Sequence, residues 1–275
     1  MSKLSKRIIS GLTGAAFALI ILFFNQNYPL IINLITSLIS FLAIKEILSL
    51  IGISKNYAIS IPTLIFVPML PLFGYSVGWE LIFYVYTITV FSALMLNKNL
   101  KINDVFTLYA LSIIISFSLF KIVDLRDYGN QYGTFYVFLS LVIAWMSDTG
   151  AYFCGKCLGK NKLCPDISPK KTIEGFIGGI VVCLICVSII TAIFNNYIFY
   201  EKQQINYLLI LLLGLTGSVI SCLGDLCFSV IKRRYQVKDF GNLMPGHGGV
   251  LDRFDSIIFV VPYVYIFLKL IPIIF

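Results

Sequence analysis

Charge is scarce in this chain. Its 275 residues include 21 Lys or Arg and 13 Asp or Glu, so charged side chains make up 12% of it and hydrophobic ones 59%. A soluble domain is nearer a quarter charged and half apolar, so a mean hydropathy of +0.92 excludes an ordinary soluble globule. There is one histidine, which excludes an H-E-x-x-H pair, and neither a G-x-x-x-x-G-K-[ST] phosphate loop nor a G-x-S-x-G elbow occurs. Seven cysteines in a chain this long do not suggest a disulfide scaffold. Cys183, Cys186 and Cys222 lie in apolar runs, where cysteine behaves as a small hydrophobe. Cys154-x-x-Cys157, with Cys164 nearby, has the spacing of half a zinc site but no second pair to complete it, which favours small residues near a helix end. Internal repeats, composition breaks and nucleic-acid-binding modules are also missing.

What the chain has in quantity is apolar runs of helix length. Nine candidate spans are expected, at roughly 8–25, 29–49, 57–75, 79–96, 104–121, 134–153, 174–195, 206–230 and 254–273. Lipid accepts only helices or closed barrels, so these runs predict an all-α, polytopic membrane bundle forming one domain over 1–275. Spans one to five (8–121) are expected to be scaffold, and spans six to nine (134–273) to carry the site. The first run follows Lys3, Lys6 and Arg7 and could pass for a signal peptide. It lacks a clear small-x-small cleavage site and a second run follows at once, so it is expected to be retained.

Basic residues orient the bundle. With the N-terminus cytoplasmic, the inside segments hold 17 of the 21 cations, the rest being Lys121, Arg126, Lys202 and Lys269. That asymmetry predicts nine spans, N-terminus in, in the cell (inner) membrane. Both long connections, 154–173 and 231–253, then face the cytoplasm. The net charge of +8 follows from the same rule and from attraction to anionic lipid.

The charged residues that remain are clustered. Asp148 is the single charge of the sixth span and precedes Thr149, Gly150 and Ala151. It is either an acid solvated at the headgroups or a functional intramembrane acid, and the small neighbours favour the latter. Asp225 lies in the eighth span and Asp252 starts the ninth. Consecutive antiparallel spans can bring these two ends together, and two carboxylates meeting there suit Mg²⁺. The alternative is two separate salt bridges to Lys232, Arg233 or Arg253. Between them Pro245-Gly246-His247-Gly248-Gly249 has the glycine content of a phosphate-cradling turn, and His247 can donate to a phosphate, move a proton or cap the turn. In the other long loop Ser168-Pro169 predicts an N-cap and first helical residue, and Lys170 and Lys171 make that helix start an anion site. Gly175 and Gly179, four apart, are read as a close-packing pair.

The run Ser229-x-x-Lys232-Arg233-x4-Lys238-Asp239-x-Gly241-x3-Pro245-x-His247-Gly248-Gly249-x2-Asp252-Arg253-x-Asp255 resembles the signature of the phosphatidate cytidylyltransferase (CDP-diacylglycerol synthase) family. Met244 stands where that family usually has Leu, Ile or Phe, a conservative departure. Asp148-Thr149-Gly150-Ala151-Tyr152-Phe153-x-Gly155-Lys156 and Ser168-Pro169-Lys170-Lys171-Thr172-x-Glu174-Gly175 look like motifs of the same family. The likeness is strong over about 144–256, while the first five spans match only in hydrophobic character.

The resemblance implies transfer of the cytidylyl group of CTP to phosphatidate, with Mg²⁺, and a monovalent cation as a second candidate cofactor. Catalytic roles are expected for Asp225, Asp252, Lys232, Arg233, Lys238, Asp239, His247 and Arg253, with Mg²⁺ on Asp225 and Asp252 from the pairing of their carboxylates. Substrate contacts fall to Asp148, Lys156, Ser168, Lys170, Lys171, Thr172, Glu174, Gly248, Gly249 and Asp255. Membrane lipid is the implied surrounding, a homodimer the family's usual assembly, and nucleic acid is not a partner. A CTP-dependent lipid or polyprenol kinase would use a similar polyanion site. An anion transporter would need charges deep in several spans, whereas here they collect at the ends.

Overall fold

The computed structural model describes residues 30–128, 132–199, 204–242 and 248–274. The expected first span and His247 lie outside the described residues. Eight α-helices occur among them: α1 (Leu30–Ile51), α2 (Tyr57–Phe73), α3 (Trp79–Leu96), α4 (Ile102–Asp127), α5 (Gly133–Leu158), α6 (Ile173–Ile193), α7 (Tyr207–Arg234) and α8 (Leu251–Leu270). Two short strands, β1 (Lys162–Cys164) and β2 (Ser168–Thr172), lie between α5 and α6.

Among the described residues six helical segments are long and apolar enough to cross a membrane: 30–51, 76–96, 102–127, 133–158, 173–198 and 207–234. The count of nine is not reached among the described residues. The expected third span is a 17-residue apolar helix, α2, interrupted by Pro62, Pro68 and Pro71 and followed by the π-helical turn Gly74–Gly78. The expected ninth corresponds to α8, which begins three residues earlier and carries Asp252, Arg253, Asp255 and Lys269.

The chain divides into two compact units. One comprises the described residues up to Val123 together with Tyr235–Phe254, and the other Asp124–Arg234 with Asp255–Phe275. In the first unit the pattern of a water-soluble helix is inverted. On α1 the buried face is Asn33, Thr36, Ser37, Ser40, Ala43 and Ile44, while Leu34, Leu38 and Phe41 are exposed. Such a helix suits lipid outside and small polar residues as glue inside. Asn33 Nδ2 donates to the Pro71 carbonyl at 2.9 Å and Ser37 Oγ to that of Pro68 at 2.8 Å, tying the proline-broken α2 to its neighbour.

In the second unit α5 and α6 form an antiparallel pair along a seam of small residues. A Cβ on Gly179 would stand 2.6 Å from the Ser147 carbonyl, and one on Gly150 3.1 Å from the Gly179 Cα. One on Gly175 would stand 3.0 Å from the Gly155 Cα. The four-residue glycine spacing thus brings two backbones together. Ser147 Oγ crosses the same interior to donate to Ser221 Oγ on α7 at 2.9 Å.

The connection expected to be a loop, 154–173, is largely structured. Its first five residues complete α5, and β1 pairs antiparallel with β2, Lys162 opposite Thr172 and Cys164 opposite Ser168. The expected cap at Ser168 is therefore corrected. Ser168 and Pro169 lie in β2, and α6 is capped by Thr172, whose Oγ1 accepts from Gly175 N at 3.1 Å. The ribbon keeps the chain extended for four more residues, so the first side chain able to reach back to a free helix amide is Thr172.

Candidate active site

Asp148, Asp225 and Asp255 come from three helices of the second unit. Asp225 sits on α7, two turns before the basic end Lys232-Arg233-Arg234. Its Oδ2 receives Lys171 Nζ at 2.7 Å, and its Oδ1 accepts from Ser229 Oγ at 3.3 Å, one helical turn on. Lys171 is delivered by β2, in which Pro169 and Lys170 are exposed while Lys171 and Thr172 are shielded.

Burial pulls the Lys171 ammonium down, but the adjacent Asp225 carboxylate and then the Cys222 sulfur outweigh it, holding the group above the ordinary lysine value. The Cys222 Sγ lies 3.9 Å from its Nζ.

Asp148, on α5, is half-buried, and its Oδ2 accepts from Ser256 Oγ of α8 at 2.8 Å. Asp255 is buried, with Oδ1 accepting from Ser256 N at 2.8 Å. The carboxylates of Asp148 and Asp255 each feel the charge of Asp225, and the buried Lys232 ammonium acts on Asp255 in the opposite sense. Lys171 is the cation in contact with this group of acids, and Lys232 acts on Asp255. Among the described residues no three His, Cys, Asp or Glu side chains form a ready metal cage. A carboxylate such as that of Asp225 nonetheless suits Mg²⁺, a hard cation usually held by one or two carboxylates with water and substrate phosphate completing its shell.

Other residues from the motifs have structural partners. Glu174 accepts from Lys160 N at 3.0 Å and from Asn161 Nδ2 at 2.8 Å, fastening the α5 end to the start of α6. Arg233 is exposed and its Nε donates to the Ile167 carbonyl at 3.3 Å, bringing α7 to the ribbon. Lys156 is exposed near the end of α5. The cysteines at 154, 157 and 164 are free thiols.

Asp252 belongs to the first unit. Its Oδ2 accepts from Phe240 N at 2.8 Å and Gly249 N at 2.9 Å. Gly248 has φ +83°, and a Cβ there would stand 2.8 Å from that Oδ2, so the turn needs glycine for both reasons. Lys238, Asp239 and Arg253 are exposed in this unit.

Three contributors escape a reading of motifs. Ser256 follows a motif acid but is an ordinary hydroxyl in sequence. Ser229 opens the signature without a role attached. Glu46 is the lone acid of an apolar run, the same signal that marks Asp148, but its neighbour Lys45 makes it look like half of a solvated pair.

The chain matches the cytidylyltransferase family over residues 5–271. It is 34% identical to a phosphatidate cytidylyltransferase of Staphylococcus saprophyticus over 251 residues, 87% of this chain and 90% of that protein. It is 48% identical to one of Bacillus subtilis over 164 residues, 60% of this chain and 57% of the relative. With one of Staphylococcus haemolyticus the figure is 46% over 136 residues, half of each chain. The matched stretch thus spans about half the length of the last two relatives and nearly all of the first.

Proposed function

This chain belongs to the cytidylyltransferase family, and from that premise we propose that it transfers the cytidylyl group of CTP to phosphatidate, giving CDP-diacylglycerol and pyrophosphate. The observation that carries the reading is the inward ammonium of Lys171 on Asp225, 2.7 Å away, beside Asp148, Asp255 and Lys232. The ion cluster lies within the apolar helices α5 and α7, about two to three turns before their basic ends.

A phosphate oxygen of phosphatidate attacks the α-phosphorus of CTP. A new P–O bond forms and the bond to the bridging oxygen of the β-phosphate breaks, its electron pair leaving with pyrophosphate. The nucleophile is already ionised at neutral pH, so no strong general base is required. The barrier is dominated by bringing two anions together and by charge developing on the leaving group, and fixed cations lower both. Lys171 and Lys232 supply such charge inside the second unit. Lys170 and Arg233 of the second unit, and Lys238 and Arg253 of the first, are exposed cations that would bind phosphates. Mg²⁺, which the pairing of carboxylates read from the sequence puts on Asp225 and Asp252, would add Lewis-acid stabilisation of phosphoryl oxygens.

The nine-span topology with a cytoplasmic N-terminus belongs to this proposal. It rests on the 17 of 21 cations on one side and puts the basic segments where CTP is available.

The deciding assay uses purified protein in detergent with phosphatidate, Mg²⁺ and CTP labelled at the α- or γ-phosphorus. Label should enter lipid only from the α position. Entry from the γ position would make the protein a lipid kinase, and entry from neither would remove the activity.

A further inference from the structure

Glu46 stands in the apolar run of α1, where an acid is expensive to keep unless it is well partnered. Its partners are specific. Oε1 accepts from Val250 N at 2.8 Å and Oε2 from Leu251 N at 3.0 Å, residues more than 200 positions away. These amides open α8 and have no intrahelical acceptor. Helices usually meet that need with a local Ser, Thr, Asp or Asn; here a second helix meets it. A Cβ on Gly241 would stand 2.5 Å from Oε1, and a Cβ on Gly249 would also run into the Glu46 carboxylate. One side chain therefore touches both the 241 and the 249 positions. Beside it, Asp252 Oδ2 takes the amides of Phe240 and Gly249. Two neighbouring carboxylates thus divide four backbone amides, and each leaves the other fewer ways to move.

We propose that Glu46 is a positioning residue for cytidylyl transfer, fixing the 248–251 turn and, through it, the Asp252 carboxylate and the Arg253 guanidinium. Glu46 touches backbone rather than substrate, so its effect is on placement. Small misplacement of reacting groups lowers turnover more than ground-state binding. The inference rests on the activity proposed above.

The test uses the full chain in detergent, comparing Glu46→Gln, Glu46→Ala and, as a control at the other end of α1, Asn33→Ala. Glu46→Gln keeps the shape and one acceptor oxygen but turns an N–H donor towards a backbone N–H. It should lower kcat roughly tenfold or more while each KM stays within about threefold. Amide exchange of peptides covering Val250 and Leu251 should rise, since one of these two amides loses its acceptor. Glu46→Ala should lower kcat further. Asn33→Ala should lower the thermal midpoint while leaving kcat near that of the parent. Two results overturn the proposal: kcat of Glu46→Gln within twofold of the parent, or failure of Glu46→Gln to fold, which would make Glu46 a general structural residue. A parent chain that forms no CDP-lipid fails the activity instead. The exchange experiment needs no substrate, and unchanged exchange in Glu46→Gln would then overturn the Glu46 role independently.

Discussion

Lys171 Nζ and Asp225 Oδ2 stand 2.7 Å apart, which fastens the β-ribbon to α7. The two side chains are 20% and 27% exposed, so the pair is mostly shielded from water without being fully desolvated. Removing one partner leaves the other charge half-buried and uncompensated. Lys171→Met or Asp225→Asn should each destabilise by roughly 1–3 kcal/mol, less than the 3–5 kcal/mol of a fully buried pair. Each should also lower turnover by about a hundredfold or more if the pair serves the reaction. The double variant should lose less stability than the sum of the singles. Additive losses in thermal unfolding would show that the contact is not energetically coupled.

The same contact sets a pH dependence. Asp225 holds Lys171 above the ordinary lysine value despite burial. A lysine raised on folding contributes its full stabilisation below its unfolded value, near 10.4, and loses it only as pH rises through the folded value. The difference in thermal midpoint between the parent and Lys171→Met should therefore be constant from about pH 7 to 9. A difference that shrinks over that range would mean that Lys171 titrates early and that the ion pair is not what keeps it charged.

The α5–α6 seam predicts a steep size dependence. At Gly179 an added methyl meets the Ser147 backbone carbonyl at 2.6 Å, and backbone cannot swing aside. Gly179→Ala should cost about 1–3 kcal/mol, as overpacking usually does, and Gly179→Val more. At Gly214 the obstacle is the tip of the Leu184 side chain at 3.2 Å, so Gly214→Ala should be tolerated far better. Equal thermal midpoints for the two alanine variants would mean that the seam opens readily.

Metal removal should separate catalysis from folding. The ribbon, the Thr172 cap and the α5–α6 seam are built from side chain and backbone alone. Chelation with EDTA should abolish turnover and Mg²⁺ should restore it, with little change in thermal midpoint. Full activity in excess chelator would remove the metal assignment at Asp225 and Asp252.

Helix positions were legible because a span must be apolar for about twenty residues, which a hydropathy reading registers directly. The expected 79–96, 134–153 and 206–230 correspond to α3, α5 and α7, with α5 and α7 continuing to Leu158 and Arg234. Their polar ends carry Lys156 and Lys232, which a reading of apolar character cuts short. The glycine seam was legible from spacing alone. The β-ribbon was not, since Ser168-Pro169 carries the same local signal as a helix start and only pairing with Lys162–Cys164 makes it a strand.

Sequence by itself was enough for the membrane-helical character and for the family, because burial in lipid and the motif both depend on residue identity along the chain. Only the tertiary structure decided which groups meet. It turned Lys171 rather than Lys170 onto Asp225, gave Asp148 its Ser256 donor, and passed the helix cap from Ser168 to Thr172. It also seated Glu46 under the amides of Val250 and Leu251. Those choices turn on direction and distance between residues far apart in the chain: a carboxylate 3 Å from an amide and one that faces water are the same letter in the sequence.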